Sequence, residues 1–563
     1  MPVAVLSAER LLSVVGRSLS HAEVDELLFS TKAELKRWEG DELEVEATPD
    51  RLDLLDEGGL GLHLQGALGA ATGLVPVRSS TEGAGVRFLV EPSVDPLRPS
   101  IAGAVVTAPD DSALDQGLLD EAVRFQELLH ATVGMDRRLA SLGIYPLERL
   151  RSPVRYALEP ASGVRFVPLD GTESVDAPSF FNEHPLGRKY GPLGRSGDRC
   201  LTLRDVGGEV LSLPPALNAR GAGEARSGDR RLLLESTGTR PARVRDSVAL
   251  LLLPFVARGW SVAPVQVEGP GARADDGWST VSPRPLHLGS VPLAAVAGAA
   301  YSPTEVEGWV ARARLGVVPE IHGYRVDAPP WRPDLLGEID VIEEVILTRG
   351  VRAEDGILPS SPTRGRRLPE ARFRRRVREL LLGLGYAELC TPVLVPASTV
   401  GLLERRDALA LQNPVSEQFA FLRDRVEVSL LGTLERNVRH GYPQRFAEVG
   451  PVLVRDDSSE SGATTRYHAG AFLASDTAGF ADGAALLDYL LGAFGAIGVR
   501  EPTELSGTIP GRAARLKIAG ERIGEVGELH PAVLDALRVP VPVVWSEVDL
   551  TALWPLVRRG EAD

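Results

Sequence analysis

Residues 324–350 constrain the fold more than any other stretch, because a proline-rich run leads directly into an apparently helical segment that carries several acids. Pro329, Pro330 and Pro333 exclude a helix before Asp334. From Leu335 onward, apolar residues recur at helical spacing, which predicts a helix with one buried side. These residues are Leu335, Ile339, Ile342, Ile346 and Leu347.

The acids of this stretch are Asp334, Asp340, Glu343 and Glu344. The last three are spaced so that their carboxylates gather on one side of the predicted helix, and Asp334 lies just before it or in its first turn. Because like charges repel, we expect a positive partner nearby, either Mg²⁺, which takes oxygen ligands, or an arginine. Taken alone, such a pattern more often marks an acidic, solvated helix face.

The residues around these acids resemble the segment P-x-W-R-x-D-(x)5-D-x-x-E-E of the β subunit of phenylalanyl-tRNA synthetase. In this sequence the segment begins Pro329-Pro330-Trp331-Arg332-Pro333-Asp334. The resemblance implies that Mg²⁺ is bound by Asp334, Asp340, Glu343 and Glu344, near a contact with the α subunit of that enzyme.

Length and composition place the chain among large soluble proteins. Its 563 residues allow roughly three to five domains. The net charge of −15 argues against a chain that coats nucleic acid by itself, although a partner could supply the basic surface. The two cysteines lack zinc spacing, the N-terminus does not resemble a signal peptide, and no apolar run is long enough to span a bilayer. We therefore expect a cytoplasmic protein without a membrane segment.

Residues 1–82 predict an N-terminal α/β module. Helices are expected from Ala8 to Val15 and from His21, with Ser20 as N-cap, to about Phe29. The following strand, turn and helix include Pro49-Asp50-Arg51-Leu52-Asp53-Leu54-Leu55, which resembles the N/D-R-x-D-L-L segment of the same family. A linker rich in Ser, Gly and Glu is expected near residues 80–95.

Residues 95–275 resemble the mixed α/β editing module of the family. The matching pieces run from Leu129 to Tyr145 (LH-x-T-x-G-x-x-R-x-x-A-S-x-G-x-Y) and from Glu183 to Tyr190 (EHP-x-G-x-x-Y). Taken singly, His130 and His184 are more often structural than catalytic. A second linker is expected near residues 270–285.

Two strands of this module flank a glycine-rich turn and bring polar residues into one region. A pocket formed by Ser212, Asn218, Glu235 and Thr237 could hydrogen-bond a tyrosine hydroxyl and so select between analogues that differ by one polar group. In the archaeal and eukaryotic form of the family, this region hydrolyses tyrosine mischarged on tRNA. Two departures weigh against editing, because Glu235 replaces the usual Asp and Arg240 stands where an Asp usually follows.

The remaining residues predict two further modules. Residues 283–356 suggest a small metal-binding helical module of helix-turn-helix appearance, but its helix is acidic, which excludes a DNA-binding role. Residues 365–563 resemble the core of class II aminoacyl-tRNA synthetases, an antiparallel sheet with helices, through segments such as Gly385–Glu388 and Arg445–Gly450. Because no glycine-rich third motif is present, we expect this core to lack an active site of its own.

The predicted fold class is therefore α+β and multidomain, and the resemblance implies the β subunit of an archaeal/eukaryotic-type phenylalanine–tRNA ligase. Such a chain forms an α₂β₂ heterotetramer, in which the α subunit binds ATP and phenylalanine. The β chain provides a scaffold, contacts tRNA(Phe) and hydrolyses mischarged Tyr-tRNA(Phe) through a positioned water, since no nucleophile–base pair is evident.

Two alternatives remain open at this point. The first is a non-catalytic RNA-binding or regulatory paralogue that has lost editing, which Glu235 and Arg240 favour. The second is a metal-dependent hydrolase that uses the acids from Asp334 to Glu344, although no general base or second metal site accompanies them.

Overall fold

The computed structural model describes residues 1–79, 85–269, 280–350, 363–405 and 407–558. The chain forms two compact units, Met1–Ile357 and Leu358–Asp563. The four-module division is finer than this and stays a prediction, and the two predicted linkers lie partly outside the described residues. Within the ranges given above, no helix is both long enough and apolar enough to cross a membrane.

The N-terminal part is a three-stranded antiparallel sheet, of order β1-β3-β2, with three helices. Both predicted helices are confirmed, and Ser20 forms a capping box with Glu23 at the start of the second. The elements are β1 Val3–Ser7, α1 Ala8–Val15, α2 His21–Phe29, β2 Ala33–Glu39, β3 Glu42–Ala47 and α3 Glu57–Ala67.

The middle of the first unit contains two larger sheets. One is antiparallel, of order β15-β5-β14-β6, and α4 and α7 contact it; the other has the order β13-β12-β11-β7-β4-β16, with β10 beside β11. The elements are β4 Arg87–Val90, β5 Ser100–Thr107, α4 Gln116–Ala131, β6 Ala140–Pro146, β7 Val154–Pro160, β8 Arg165–Phe166, β9 Val175–Asp176, α5 Ala177–Glu183, α6 Pro185–Tyr190, β10 Arg195–Ser196, β11 Arg199–Arg204, β12 Val210–Leu213, β13 Leu217–Asn218, β14 Arg231–Gly238, α7 Pro241–Leu251, α8 Leu253–Val256, β15 Ser261–Pro264 and β16 Gln266–Glu268.

A shared apolar core joins these two sheets. Phe88 and Leu203 of one sheet and Val105 and Leu233 of the other are fully buried in the same cluster. The two strands that flank the glycine-rich turn, β12 and β14, therefore belong to different sheets. Their polar residues approach one cavity from two directions.

The last part of the first unit differs from the helical module that the sequence predicted, because residues 316–328 form a hairpin within an antiparallel sheet of order β17-β19-β18. Its final helix begins at Glu338, three residues later than the apolar spacing suggested. The Asp340 carboxylate accepts the backbone N–H groups of Leu336 and Gly337 and so fixes the helix start. The elements are β17 Arg284–Gly289, α9 Ser290–Ala297, α10 Pro303–Arg312, β18 Gly316–Glu320, β19 Gly323–Ala328 and α11 Glu338–Arg349.

The second unit is built on a seven-stranded sheet of order β20-β24-β25-β29-β28-β27-β26, antiparallel except where β20 pairs with β24. One apolar cluster holds residues of α12, α15 and α17, and another holds residues of α13, α14 and α16. The elements are α12 Pro369–Gly383, β20 Ala387–Glu388, β21 Leu394–Val395, α13 Ala397–Leu402, β22 Leu409–Ala410, β23 Phe421–Leu422, α14 Val426–Arg436, β24 Gln444–Arg455, β25 Ala463–Ala474, α15 Phe480–Gly492, β26 Val499–Pro502, β27 Thr508–Ile518, β28 Glu521–Leu529, α16 Pro531–Ala536, β29 Val543–Asp549 and α17 Leu550–Val557.

Candidate functional site

A cavity of about 540 Å³ in the first unit collects most of the polar residues that the sequence singled out. Its wall is formed by α4, β6, the β12–β13 hairpin and β14. Apolar and polar side chains both line it, and the polar ones include several charged groups. Ser212, Asn218 and Glu235 all line this cavity.

The β12–β13 hairpin supplies Ser212 and Asn218. The two residues are direct partners across the hairpin, so their side chains lie on the same face. Ser212 is buried, whereas Asn218 is half-buried and donates its amide N–H to the Gly223 carbonyl at 3.2 Å. The glycine-rich turn that follows is therefore held against the hairpin by one of the predicted site residues.

Strand β14 supplies Glu235, which is 3% exposed. The Tyr145 hydroxyl lies 3.1 Å from its Oε2 and 3.0 Å from the Ser212 hydroxyl. The other carboxyl oxygen, Oε1, is buried and has no hydrogen-bond partner within the described part of the chain. Burial raises the pKa of Glu235 to about 8, because the opposing effects of Tyr145, Arg98 and Thr237 are smaller than the cost of burying a charge.

Thr237 does not line the cavity, although it follows Glu235 on the same strand. It is fully buried, with its hydroxyl 3.2 Å from that of Ser141 and its carbonyl accepting an N–H of Arg98 at 2.5 Å. The pocket predicted from four residues is therefore formed by three of them. Thr237 supports the strand behind it.

The two histidines of this region, His130 and His184, make hydrogen bonds that hold the local structure. His130 lines the cavity, but its Nε2 accepts the Leu142 backbone N–H at 2.8 Å and its Nδ1 lies 3.1 Å from Glu127. Burial lowers the pKa of His130, so the neutral form has neither nitrogen free to take a proton from a substrate or water. His184 caps α6 and lies 3.1 Å from Asp170.

Tyr145 is the cavity residue that the sequence did not single out. It belongs to the matching segment that ends S-x-G-x-Y, and it shares a strand face with Ser141 and Gly143 because the three alternate along β6. This alternation was the one sequence pattern that could have placed Tyr145 on the same face as Ser141. The partners of its hydroxyl lie 67 and 90 residues further along the chain, which no local pattern reveals.

The four acids predicted to bind Mg²⁺ are placed around arginine and lysine groups instead of around one point. Arg332 contacts both Asp334 and Glu344, at 2.7 and 2.8 Å, while Lys32 contacts Glu343 at 2.7 Å. Asp340 caps α11. The donors are the hard oxygen atoms that Mg²⁺ prefers, and Asp334, Glu343 and Glu344 each contact an arginine or a lysine.

Arg51 completes this buried charge network. Its guanidinium contacts Asp53 at 2.9 Å and Glu344 at 3.3 Å, which joins the two segments by which the chain resembles the family. Burial alone would raise the pKa of Glu344, but Arg332 and Arg51 lower it to about 2. Arginine, one of the two positive partners expected from the sequence, is therefore present beside these acids.

A different group of acids comes close enough to share a cation. Among the described residues, three carboxylates converge within 4.8 Å only at Asp56, Glu57 and Glu121. Arg124 contacts Glu57, and Arg10 and Arg258 contact Glu121, so two of the three acids are already neutralised.

The second unit has a larger, more polar cavity of about 840 Å³. Its buried acids contact cations: Glu547 lies 2.6 Å from His468, and Glu525 lies 3.3 Å from Arg515 and 2.6 Å from Arg522. Burial alone would lower the pKa of His468, but Asp549 and Glu547 raise it to about 9. Ion pairs therefore line this cavity.

Comparison with known proteins adds independent information. Residues 356–550 match the family described as the phenylalanyl tRNA synthetase beta chain CLM domain, and residues 292–350 match the tRNA synthetase B5 domain. The chain is 31% identical over 585 residues to the phenylalanine–tRNA ligase beta subunit of Halorubrum lacusprofundi, covering 98% of this chain and 100% of that protein. It is 30% identical over 559 residues to that of Korarchaeum cryptofilum, covering 98% of each.

A solved structure is similar in fold to the first part of the chain. It is an N-terminal fragment of the phenylalanyl-tRNA synthetase beta subunit from Pyrococcus horikoshii, with a TM-score of 0.57 and 23% identity, covering 62% of this chain and 100% of the fragment.

Proposed function

This chain belongs to the phenylalanine–tRNA ligase beta-subunit family, and we propose that it acts with an alpha subunit in the ATP-dependent attachment of phenylalanine to tRNA(Phe). ATP and phenylalanine are bound by the alpha subunit, and the assembly is an α₂β₂ heterotetramer in the cytoplasm. The beta chain provides a scaffold and contacts tRNA. The family assignment over nearly the whole chain supports this part of the proposal.

The second part of the proposal is that the cavity of the first unit hydrolyses Tyr-tRNA(Phe). The observation that carries it is the Glu235 Oε1 atom, a buried acceptor without a described partner in a cavity that Ser212 and Asn218 also line. An unsatisfied buried acceptor costs about 1–3 kcal/mol, and a ligand hydroxyl removes that cost. Tyrosine carries such a hydroxyl and phenylalanine does not.

The chemistry is ester hydrolysis. A water molecule attacks the carbonyl carbon of the ester, the bond to the ribose oxygen of the tRNA breaks, and tyrosine and tRNA are released. His130 already accepts the Leu142 backbone N–H, and the Ser212 hydroxyl is bonded to the Tyr145 hydroxyl, so neither is free to act as a base or nucleophile. The cavity residues therefore act by positioning the ester and the water. The proposed hydrolysis contains no step at the acids of α11.

Magnesium at Asp334, Asp340, Glu343 and Glu344 stays a separate prediction. Metal analysis of the purified chain tests it, with the double variant Asp340→Asn/Glu343→Gln as the comparison. Magnesium retained by the wild type at one ion per chain and lost from the variant would support it. Equal metal content in the two proteins would contradict it.

Deacylation of Tyr-tRNA(Phe) tests the editing proposal. The purified chain, alone and with the alpha subunit, is compared with Asn218→Ala and with Asn437→Ala. The second variant removes a similar amide just after α14 of the second unit, where it donates to the Thr433 carbonyl. We expect hydrolysis by the wild type and by Asn437→Ala, and its loss in Asn218→Ala. Phe-tRNA(Phe) should remain intact in every case.

Two other outcomes have distinct meanings. Normal charging with the alpha subunit but no hydrolysis of Tyr-tRNA(Phe) would leave a scaffold subunit whose editing module is only structural. Failure of both charging and hydrolysis would favour a regulatory, RNA-binding paralogue.

A further inference from the structure

The Tyr145 hydroxyl lies between the Ser212 hydroxyl and Oε2 of Glu235, at 3.0 and 3.1 Å. A phenol has one hydrogen and can donate to only one neighbour at a time. The three groups therefore form a chain of hydrogen bonds that has a direction. The direction depends on whether the Glu235 carboxyl group is protonated.

Both possible directions are compatible with the geometry. When Glu235 is ionised it can only accept, so Tyr145 donates to Oε2 and Ser212 donates to Tyr145. When Glu235 carries a proton on Oε2, it donates to Tyr145 and Tyr145 donates to Ser212. In each case Tyr145 satisfies Oε2 and leaves Oε1 as an acceptor.

We propose that Tyr145 is a positioning residue that keeps Oε1 of Glu235 available as an acceptor for a ligand hydroxyl, whether or not the carboxyl group is protonated. The proposal rests on the editing function argued above and adds a determinant of its specificity. The hydroxyl of Tyr145 can switch between donor and acceptor, and a phenylalanine at this position could not.

The surroundings of Glu235 make Tyr145 its principal polar partner. The other titratable or charged groups that interact with this carboxyl group are Arg98, ahead of β5, and Tyr156, on β7. Arg98 is occupied with Ser141 and with the Thr237 carbonyl, and Tyr156 donates to the Arg98 carbonyl at 2.8 Å. Neither makes a hydrogen bond to Glu235, and the Thr237 hydroxyl, which also lowers its pKa, lies 3.2 Å from the Ser141 hydroxyl. Tyr145 is therefore the group that bonds to Oε2 in either protonation state of the carboxyl group.

Gly143 makes the approach of Tyr145 possible. The two residues alternate on β6, and a Cβ atom at position 143 would lie 2.2 Å from the Tyr145 hydroxyl oxygen. The strand therefore provides space for this hydroxyl directly opposite Glu235, which pairs with Gly143 across the sheet.

The test measures ligand selectivity as a function of pH. Hydrolysis-resistant adenosine analogues carrying tyrosine or phenylalanine through a 3′-amide are titrated calorimetrically into the full chain between pH 6 and 9. We expect the wild type to prefer the tyrosyl analogue by a ratio that stays constant with pH. In Tyr145→Phe the preference should fall about fivefold at pH 6 and recover as the pH rises, since only the ionised carboxyl group then presents Oε1 reliably as an acceptor.

Tyr324→Phe is the matched control, because it removes a hydroxyl from another buried tyrosine, on β19, that does not line the cavity. Its selectivity should equal that of the wild type at every pH. A general loss of packing in Tyr145→Phe would lower affinity for both analogues without making their ratio depend on pH.

The outcomes separate this proposal from the editing function. No tyrosyl preference in the wild type would overturn the editing proposal itself. A clear preference in the wild type with the same pH-independent ratio in Tyr145→Phe would overturn only the role of Tyr145. If the variant does not fold, the wild type alone decides, because a preference that changes more than about threefold between pH 6 and 9 contradicts the proposal.

Discussion

Glu235 in the first unit and Glu547 in the second are equally buried, at 3% and 4% exposed, but they are held in opposite ways. Glu235 contacts a tyrosine hydroxyl and has one oxygen without a described partner. Glu547 accepts the backbone N–H groups of Val426 and Glu427 and lies 2.6 Å from His468. Burial raises the pKa of Glu235 to about 8, whereas for Glu547 the effect of burial is outweighed by His468 and Arg425, and its pKa is lowered.

The comparison shows that burial alone does not determine the state of a buried acid. A cation and two backbone donors keep Glu547 ionised and make it part of the scaffold. At Glu235 the effect of burial exceeds those of Tyr145 and Arg98, so its carboxyl group is protonated near neutral pH. We regard the first arrangement as structural and the second as typical of a binding site.

The largest effect is expected from Glu547→Gln. Each carboxyl oxygen accepts one backbone N–H, and the amide nitrogen of glutamine cannot accept, so one N–H loses its partner. Charged His468 keeps only Asp549, 3.6 Å away. We expect the free energy of unfolding of the second unit to fall by about 4 kcal/mol at pH 7, measured by urea denaturation. Exposed Glu521→Gln on β28 is the control and should change it by less than about 0.5 kcal/mol. A loss below about 1 kcal/mol for Glu547→Gln would contradict the ion-pair assignment.

The second prediction concerns pH. The pKa of Glu235 is raised from 4.5 to about 8 in the folded chain, so its contribution to stability is fully present below pH 4.5 and is lost as the pH rises through about 8. We expect the free energy of local opening of β14, measured by hydrogen exchange, to fall by on the order of 3 kcal/mol over this window.

Glu235→Gln should remove that pH dependence, because glutamine does not titrate. His468 contributes a separate loss in the second unit, between about pH 6.5 and 9, since its pKa is raised to about 9. Exchange at β25 should therefore keep its pH dependence in the Glu235 variant. An unchanged slope at β14 would show that the Glu235 carboxyl group does not titrate in this range.

The sequence was sufficient for features that depend on neighbouring residues. The spacing of apolar residues and the cap at Ser20 correctly predicted α1 and α2. The clustering of hydroxyl and acidic groups on either side of a glycine-rich turn correctly identified three residues that line one cavity. Local chain chemistry determines the two helices, whereas the three cavity residues lie in strands of different sheets and were also indicated by the family resemblance.

Features that depend on contacts far apart in sequence could not be predicted. Arg51 and Glu344 are 293 residues apart, so nothing in either segment revealed that this second arginine joins Arg332 beside α11. Thr237 shares its strand face with Glu235, which favoured a place in the pocket, but Ser141 and Arg98 cover it. Only the tertiary packing decides which of two alternate residues faces the cavity.

The third prediction concerns a substitution that displaces Tyr145, the partner of Glu235, and leaves both side chains chemically unchanged. A methyl group added by Gly143→Ala would lie 2.2 Å from the Tyr145 hydroxyl oxygen, so Tyr145 must move away from Glu235. We expect a loss of about 2 kcal/mol in the free energy of unfolding of the first unit, measured by urea denaturation. Gly163→Ala, where a new Cβ meets nothing within 4 Å, is the control and should be neutral. Equal stability of the two variants would mean that β6 or Tyr145 can shift to accommodate the methyl group at little cost in free energy.

The smallest effect is expected from Glu235→Gln at pH 6.5, although it is the same substitution as at position 547. Below its pKa of about 8, Glu235 is a neutral carboxylic acid, and glutamine has nearly the same shape and also presents one acceptor and one donor. Tyr145 can accept from the new amide as readily as from the acid. We expect the free energy of unfolding of the first unit to change by less than about 1 kcal/mol at this pH. A loss comparable to that of Glu547→Gln would mean that Glu235 is ionised in the folded chain, and the distinction between a scaffold acid and a binding-site acid would then fail.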